Sequence, residues 1–174
     1  MKMNKKLLVI GAAAALAAQY GSAVFAAQEN GTATAFVIEP LTITEDTPMN
    51  FGTVAGGENA DTIVLATDGS RTVSGTDAQI IASGAGNAGQ FTITGEPGQA
   101  YSVTFSANAR MENADGDFMT VDTFDDNNPS PIDGGGSDTL LVGGTLNVGA
   151  NQPSGNYSTA TGTGTPYTVT VNYN

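Results

Sequence analysis

The chain has 174 residues, with 17 acidic side chains against five Lys and Arg, and it contains no His, Cys or Trp. Those absences exclude histidine general bases, thiol nucleophiles and the zinc, haem and iron–sulfur sites that such residues build. Three of the five cations, Lys2, Lys5 and Lys6, stand directly before the apolar stretch Leu7 to Ala18, the arrangement of a secretory leader.

The apolar stretch falls short of the ~20 residues that span a bilayer, and it runs into the small-residue segment Gly21 to Ala27. Val24 and Ala26 suit the two small positions before a peptidase cut. Residues 1–26 are therefore expected to be a cleaved signal peptide, with Ala27-Gln28 as the alternative junction. Export to the periplasm, and from there to the cell surface or medium, follows as the expected localisation. Taking 26 residues from 174 leaves 148, in which Arg71 and Arg110 face all 17 acids, a net charge of −15. Such a field repels nucleic acid and anionic lipid, and the mature chain has no membrane-spanning stretch. Without lysine after the leader, Lys-Asn isopeptide links are excluded too.

From Thr32 onward, short alternating runs rich in Thr, Val, Ile, Phe and Tyr are divided by Gly, Pro, Asn and Asp clusters, the pattern of an all-β sandwich. Expected strands are 32–38, 41–44, 50–54, 61–66, 70–74, 77–82, 90–94, 100–106, 117–122, 138–148 and 166–173. No window after residue 27 keeps a helical period over two turns, so almost no helix is expected. Thr67-Asp68-Gly69-Ser70 reads as a tight hairpin, because Asp and Gly both tolerate positive φ, and Glu96-Pro97-Gly98 reads as a turn. Gly143-Gly144 interrupts the run Leu140 to Val148, which predicts a bulge or a switch between sheets.

Met111 to Asp138 carries eight acidic residues and three consecutive glycines, and is expected to be a long acidic connection across one end of the sandwich. Asp115, Asp117, Asp125 and Asp126 are its candidate calcium ligands, since hard cations take six to eight oxygens. No window has the spacing of a calcium-binding loop, and a solvated loop is the competing interpretation. Asp115 and Asp117 could serve as a glycosidase pair only if something fixed their separation, and nothing in the sequence does. No cofactor is expected beyond that calcium option, and the chain is expected not to be an enzyme, because its Ser and Thr hydroxyls lack a His or Lys to activate them.

The two ends are the informative parts. At the carboxyl end Tyr167, Val169, Val171 and Tyr173 fall on one face of an alternating strand, with Thr168, Thr170 and Asn172 on the other. At the amino end, the extension 27–38 precedes the domain 39–174. Within it Ala33, Ala35 and Val37 share one face and Thr34, Phe36 and Ile38 the other, and Pro40 then interrupts pairing.

The stretches Pro40 to Thr44, Asn50 to Val54, Gln90 to Gly98, Val142 to Val148 and Tyr167 to Asn174 resemble the bacterial family catalogued as domain of unknown function 4402. The resemblance implies an exported, immunoglobulin-like, antiparallel β-sandwich subunit of the kind associated with periplasmic chaperones and outer-membrane ushers that assemble pili. In such subunits the fold lacks one strand, and a chaperone strand and later the amino-terminal extension of the next subunit fill the groove. The implied roles are a donated segment at Ala33, Ala35, Phe36, Val37 and Ile38, and a groove-edge strand at Tyr167, Val169, Val171 and Tyr173. The implied partners are a chaperone, an usher and identical or related subunits in a fibre. The alternative is a self-complete, monomeric sandwich that binds calcium or a surface glycan through the acidic 111–138 segment.

Overall fold

The computed structural model describes residues 26–82 and 84–174, so the expected leader, apart from Ala26, lies outside the described residues. The chain divides into two units, Met1–Phe36 and Val37–Asn174. The described part of the first, residues 26–36, contains neither strand nor helix.

The second unit is all-β, with no helix among the described residues. Its strands are β1 (Thr42–Thr47), β2 (Val54–Ala55), β3 (Asp61–Leu65), β4 (Arg71–Ser74), β5 (Gln79–Ile80), β6 (Gly89–Thr94), β7 (Tyr101–Phe105), β8 (Asn108–Glu112), β9 (Phe118–Asp126), β10 (Ser137–Val148) and β11 (Val169–Tyr173). Every pairing between them is antiparallel. Period-two alternation carries through into burial: in β6, Phe91 and Ile93 are buried while Gln90, Thr92 and Thr94 are only partly covered.

β10 is the spine of the main sheet. It pairs with β6 along Ser137–Val142, with β3 along Gly144–Val148 and with β9 along Val142–Asn147. The change of partner and a register shift in the β9 ladder both fall at Gly143-Gly144, where a bulge or switch is expected from the sequence. A β-carbon on Gly143 would collide with the carbonyl oxygen of Leu65, so glycine is what lets the β3–β4 turn approach the spine.

Two apolar clusters form the core. One joins Phe51, Ile63, Leu65, Met119, Val121 and Leu146; the other joins Phe91, Ile93, Tyr101, Ile132, Leu140 and Val142. Over the second lies a separate layer, β11 paired with β7. β7 sits above β10 and β9, since the Tyr101 hydroxyl donates to Asp138 at 3.1 Å and the rings of Phe105 and Phe124 are 5.8 Å apart. β11 sits above β6, with the Tyr167 ring 6.2 Å from Phe91 and the Tyr173 hydroxyl against Gly95. The result is a sandwich-like fold.

Turn chemistry explains the hairpins. Ala66 and Ser70 are bonded at the mouth of the β3–β4 connection, which leaves Thr67, Asp68 and Gly69 as its loop. Only Gly69 takes positive φ, at 81°, and Asp68 instead accepts from the Ser70 N–H at 2.8 Å. The hairpin is thus a three-residue loop with glycine in the left-handed position, not a pair of left-handed residues. At Glu96-Pro97-Gly98, Gln99 N–H donates to the Glu96 carbonyl at 3.2 Å and Gly98 has φ of 76°, as a proline–glycine turn requires.

Three expectations are corrected. Residues 32–38 form no strand, because alternation supplies faces but not a partner. Residues 50–54 are mostly irregular, tied by the Asn50–Asn87 bridge and ending in the two-residue β2. The 111–138 segment is not one long connection: β8 runs into it as far as Glu112, the strand expected at 117–122 extends to Asp126, β10 begins at Ser137, and the irregular parts are 113–117 and 127–136.

Candidate strand-acceptor cleft

On the β1 side, the two-stranded upper layer stops one strand short of the seven-stranded sheet below it. β6 is flanked by β1, and β11 lies over β6, so among the described residues no strand of the upper layer covers β1. Beside β11 and above β1 opens a cleft of about 1350 Å³. That exceeds the ~300–1,000 Å³ of ordinary small-molecule sites. Ile43, Glu45 and Thr47 of β1 line it, along with Tyr167 and Val169 but not Val171 or Tyr173; the segments 48–56 and 152–160 form most of its wall, and Phe51 and Met119 of the first core cluster reach its floor.

The chain direction of the walls is fixed by two glycines of the β6 region. Gly95 lies against both Leu41 and Tyr173, and Gly89 lies against both Met49 and Tyr167. β1 and β11 therefore run antiparallel across the opening. They share no ladder, since β1 pairs with β6 and β11 with β7.

The ladder of β11 determines which backbone groups face the cleft. Ser106 N–H donates to the Thr168 carbonyl at 3.0 Å and Asn174 N–H to the Ala100 carbonyl at 3.1 Å. Even-numbered residues thus point their N–H and C=O at β7, and those of Val169 and Val171 point to the open side. An edge with unpaired N–H and C=O groups is a template for another strand. Side chains alternate in the same sense, with Val169, Val171 and Tyr173 half-buried and Thr170 and Asn172 exposed.

Tyr167 precedes β11 and is the most constrained residue of the wall. Its ring stacks on Phe124 at 4.9 Å, and its hydroxyl is buried with no hydrogen-bond partner among the described residues. Burial first, and the charge of Glu45 second, push its pKa up to about 12. Tyr173 at the other end is satisfied: its hydroxyl donates to the Glu39 carbonyl and accepts from the Glu96 N–H, both at 2.7 Å.

The family model described as Domain of unknown function (DUF4402) matches residues 41–173, from the start of β1 to the end of β11. The chain belongs to the DUF4402 family. No curated protein and no solved structure matches it. The DUF4402 match begins just after the segment 32–38, in which Phe36 and Val37 are 80% and 88% exposed, Ala33 and Ala35 are exposed and Ile38 is half-buried.

The four candidate calcium ligands are not brought together. Asp115 and Asp117 lie in the β8–β9 turn, Asp125 and Asp126 at the far end of β9, and the nine residues of that extended strand hold the pairs apart. Asp117 accepts from the Asn113 side chain at 3.0 Å and Asp126 from the Asn128 N–H at 2.6 Å. Among the described residues no three Asp or Glu side chains converge as a metal site. The open edge of β1 and the Tyr173–Glu39 contact are missed by sequence reasoning.

Proposed function

We propose that the chain is a structural subunit of a bacterial surface pilus, exported by its leader and assembled by strand addition with a periplasmic chaperone and an outer-membrane usher. The observation that carries this reading is the unpaired edge of β11 beside a cleft whose floor is apolar, in a chain that also exposes Phe36 and Val37 ahead of its first strand. An added strand satisfies the backbone of Val169 and Val171, while alternate side chains fill the cleft. Burying Phe36, Val37 and Ile38 at ~1.5–3 kcal/mol each gives roughly 5–9 kcal/mol before ordering costs, with ladder bonds in addition. Repeated head to tail, the contact does not close and makes a fibre. The role is structural, not catalytic.

The test is a comparison of unheated and heated denaturing gels of surface protein from wild type and from a strain deleted for residues 27–38. A wild-type ladder that collapses on heating, absent from the deletion strain, is expected. Fibres assembled from the deleted chain would overturn the reading.

A further inference from the structure

The main sheet has a second face, turned away from the core. Thr62, Asn147 and Thr120 stand directly opposite one another on β3, β10 and β9, and Arg110 and Glu112 of β8 stand opposite Thr120 and Phe118. Directly opposed residues share a face. Their neighbours Ile63, Leu146 and Val121 occupy the core face, so this row points outward. Where β10 stops at Val148, a cavity of about 360 Å³ opens between the starts of β3 and β9, within the size range of small-molecule sites. Phe118, Thr62, Thr120, Asn147 and Gln152 line it.

Phe118 is 52% exposed, an apolar ring left in water on an otherwise polar face. It is also held in place: the Arg110 guanidinium lies 3.7 Å from its centroid and is itself bonded to Glu112 at 3.0 Å. Beside the ring, Asn147 Nδ2 donates to the Asp122 carboxylate at 3.0 Å and to the Thr120 carbonyl at 3.4 Å, which sets the amide and leaves Oδ1 as an acceptor. That Oδ1 and the hydroxyls of Thr62 and Thr120 make no hydrogen bond among the described residues, and all three side chains belong to half-buried residues. Gln152 is fully engaged, its Nε2 donating to the Phe118 carbonyl at 3.3 Å and the Tyr157 hydroxyl at 2.9 Å, and its Oε1 accepting from the Gly149 N–H at 3.1 Å. It is a fixed end wall. Asp61, the one acid of the lining, turns a carboxylate oxygen to the N–H groups of Asp77 and Ala78.

We infer that this cavity binds one uncharged pyranose ring of a glycan, its C–H face on Phe118 and its hydroxyls on Asn147 Oδ1 and the hydroxyls of Thr62 and Thr120. An exposed, fixed aromatic ring beside a few neutral acceptors and rotatable hydroxyls suits a ligand with an apolar face and a rim of hydroxyls. Charge selects against the other classes. A cation finds no carboxylate in the lining that is not already bonded, and an anion meets a field of −15 with Arg110 paired to Glu112. None of the acidic side chains of 111–138 takes part. The inference does not rest on the fibre reading, but a fibre would repeat the site in every subunit, so that weak binding of single sugars adds along its length.

The experiment is saturation-transfer NMR on the full chain, expressed with its leader and recovered after export in whatever state of assembly it holds, because the method reads the sugar and tolerates a large protein. The probes are methyl β-D-galactopyranoside, methyl β-D-glucopyranoside and N-acetyl-D-glucosamine, with D-glucuronic acid as the anionic counterpart. Transfer from wild type to the ring C–H protons of at least one neutral sugar is expected, and none to glucuronic acid. Phe118→Ala is expected to weaken that binding about tenfold, the scale of losing one aromatic anchor, and Phe118→Tyr, which keeps the ring, to retain it. Thr120→Val keeps the β-branched shape and should weaken binding roughly fivefold through the hydroxyl alone, which keeps the inference testable if Phe118→Ala fails to fold. Thermal melts of each variant show whether it has folded. Absence of transfer to every neutral probe overturns the inference. So does transfer to glucuronic acid as strong as to a neutral sugar, or a Thr120→Val chain that binds as wild type does.

Discussion

The guanidinium of Arg110 donates from Nε and Nη2 to one carboxylate oxygen of Glu112, at 3.2 and 3.0 Å, from two positions earlier on the same face of β8. The same oxygen accepts from the Thr163 N–H at 3.2 Å and from the Thr163 hydroxyl. This fastens the connection before β11 along β8, where Ser158 and Thr165 also bridge to Glu112 and Arg110. Thr163 first and Arg110 second hold the Glu112 carboxyl below its ordinary range. A depressed carboxyl contributes stability above the unfolded value near ~4.3, which is lost as pH falls through the folded one. Glu112→Gln is therefore expected to lower the urea midpoint at pH 7 and to flatten its decline below about pH 4. An acid limb identical to wild type would refute the assignment.

Gly143→Ala is expected to destabilise by about 1–3 kcal/mol, the range of forced overpacking, because the new carbon meets the Leu65 backbone and not a movable side chain. Urea unfolding measures it. At Gly134, where nothing lies within 4 Å, the same substitution should change the midpoint far less.

Thr170 and Val171 are adjacent in β11 but point their N–H groups to opposite sides. Thr170→Pro removes a bond to β7 and should cost about 1–3 kcal/mol more in the isolated subunit than Val171→Pro. Val171→Pro should instead block strand addition while leaving the subunit folded. Thermal melts of monomer, set beside the oligomer yield of each variant, check both halves.

Tyr167→Phe removes a buried hydroxyl without a partner, so the isolated subunit is expected to keep or gain stability. Because the folded pKa is raised to about 12, Tyr167 contributes stability below its unfolded value of ~10 and loses it as pH climbs from there to about 12. The variant should lack that part of the alkaline decline, which a melting series from pH 8 to pH 12 would reveal.

Calcium at a few millimolar is expected to leave the melting temperature where sodium chloride of equal ionic strength leaves it. The acidic residues of 111–138 are distributed along β9 and its two ends. A calcium-specific rise would restore the binding-module alternative.

Much of the fold was legible because the runs at 61–66, 70–74, 90–94 and 100–106 alternate cleanly and turn chemistry bounds them. β8 was missed: Asn108 to Glu112 is polar for a strand, and its stability comes from pairing with β9 and from the Glu112 fastening, which depend on residues far along the chain. The acids concealed the length of β9 for a related reason: a strand is expected over 117–122, but Asp125 and Asp126 hide its continuation to Asp126, which rests on pairing with β10. At the site, Tyr167 and Val169 were legible as one face. The cleft was not, because it arises from the offset between two layers and leaves no mark in any one strand.

The position of β10 as common partner of β3, β6 and β9 affects the order of events during synthesis. A ribosome delivers the amino end first, so Ile63, Leu65, Phe91 and Ile93 emerge long before residues 137–148 that cover and pair them. Hairpins such as β3–β4 can form early, but the main sheet cannot close until most of the chain is present. Formation of native structure is thereby deferred to the end of delivery, which leaves the apolar faces of the earlier strands exposed to association for most of synthesis.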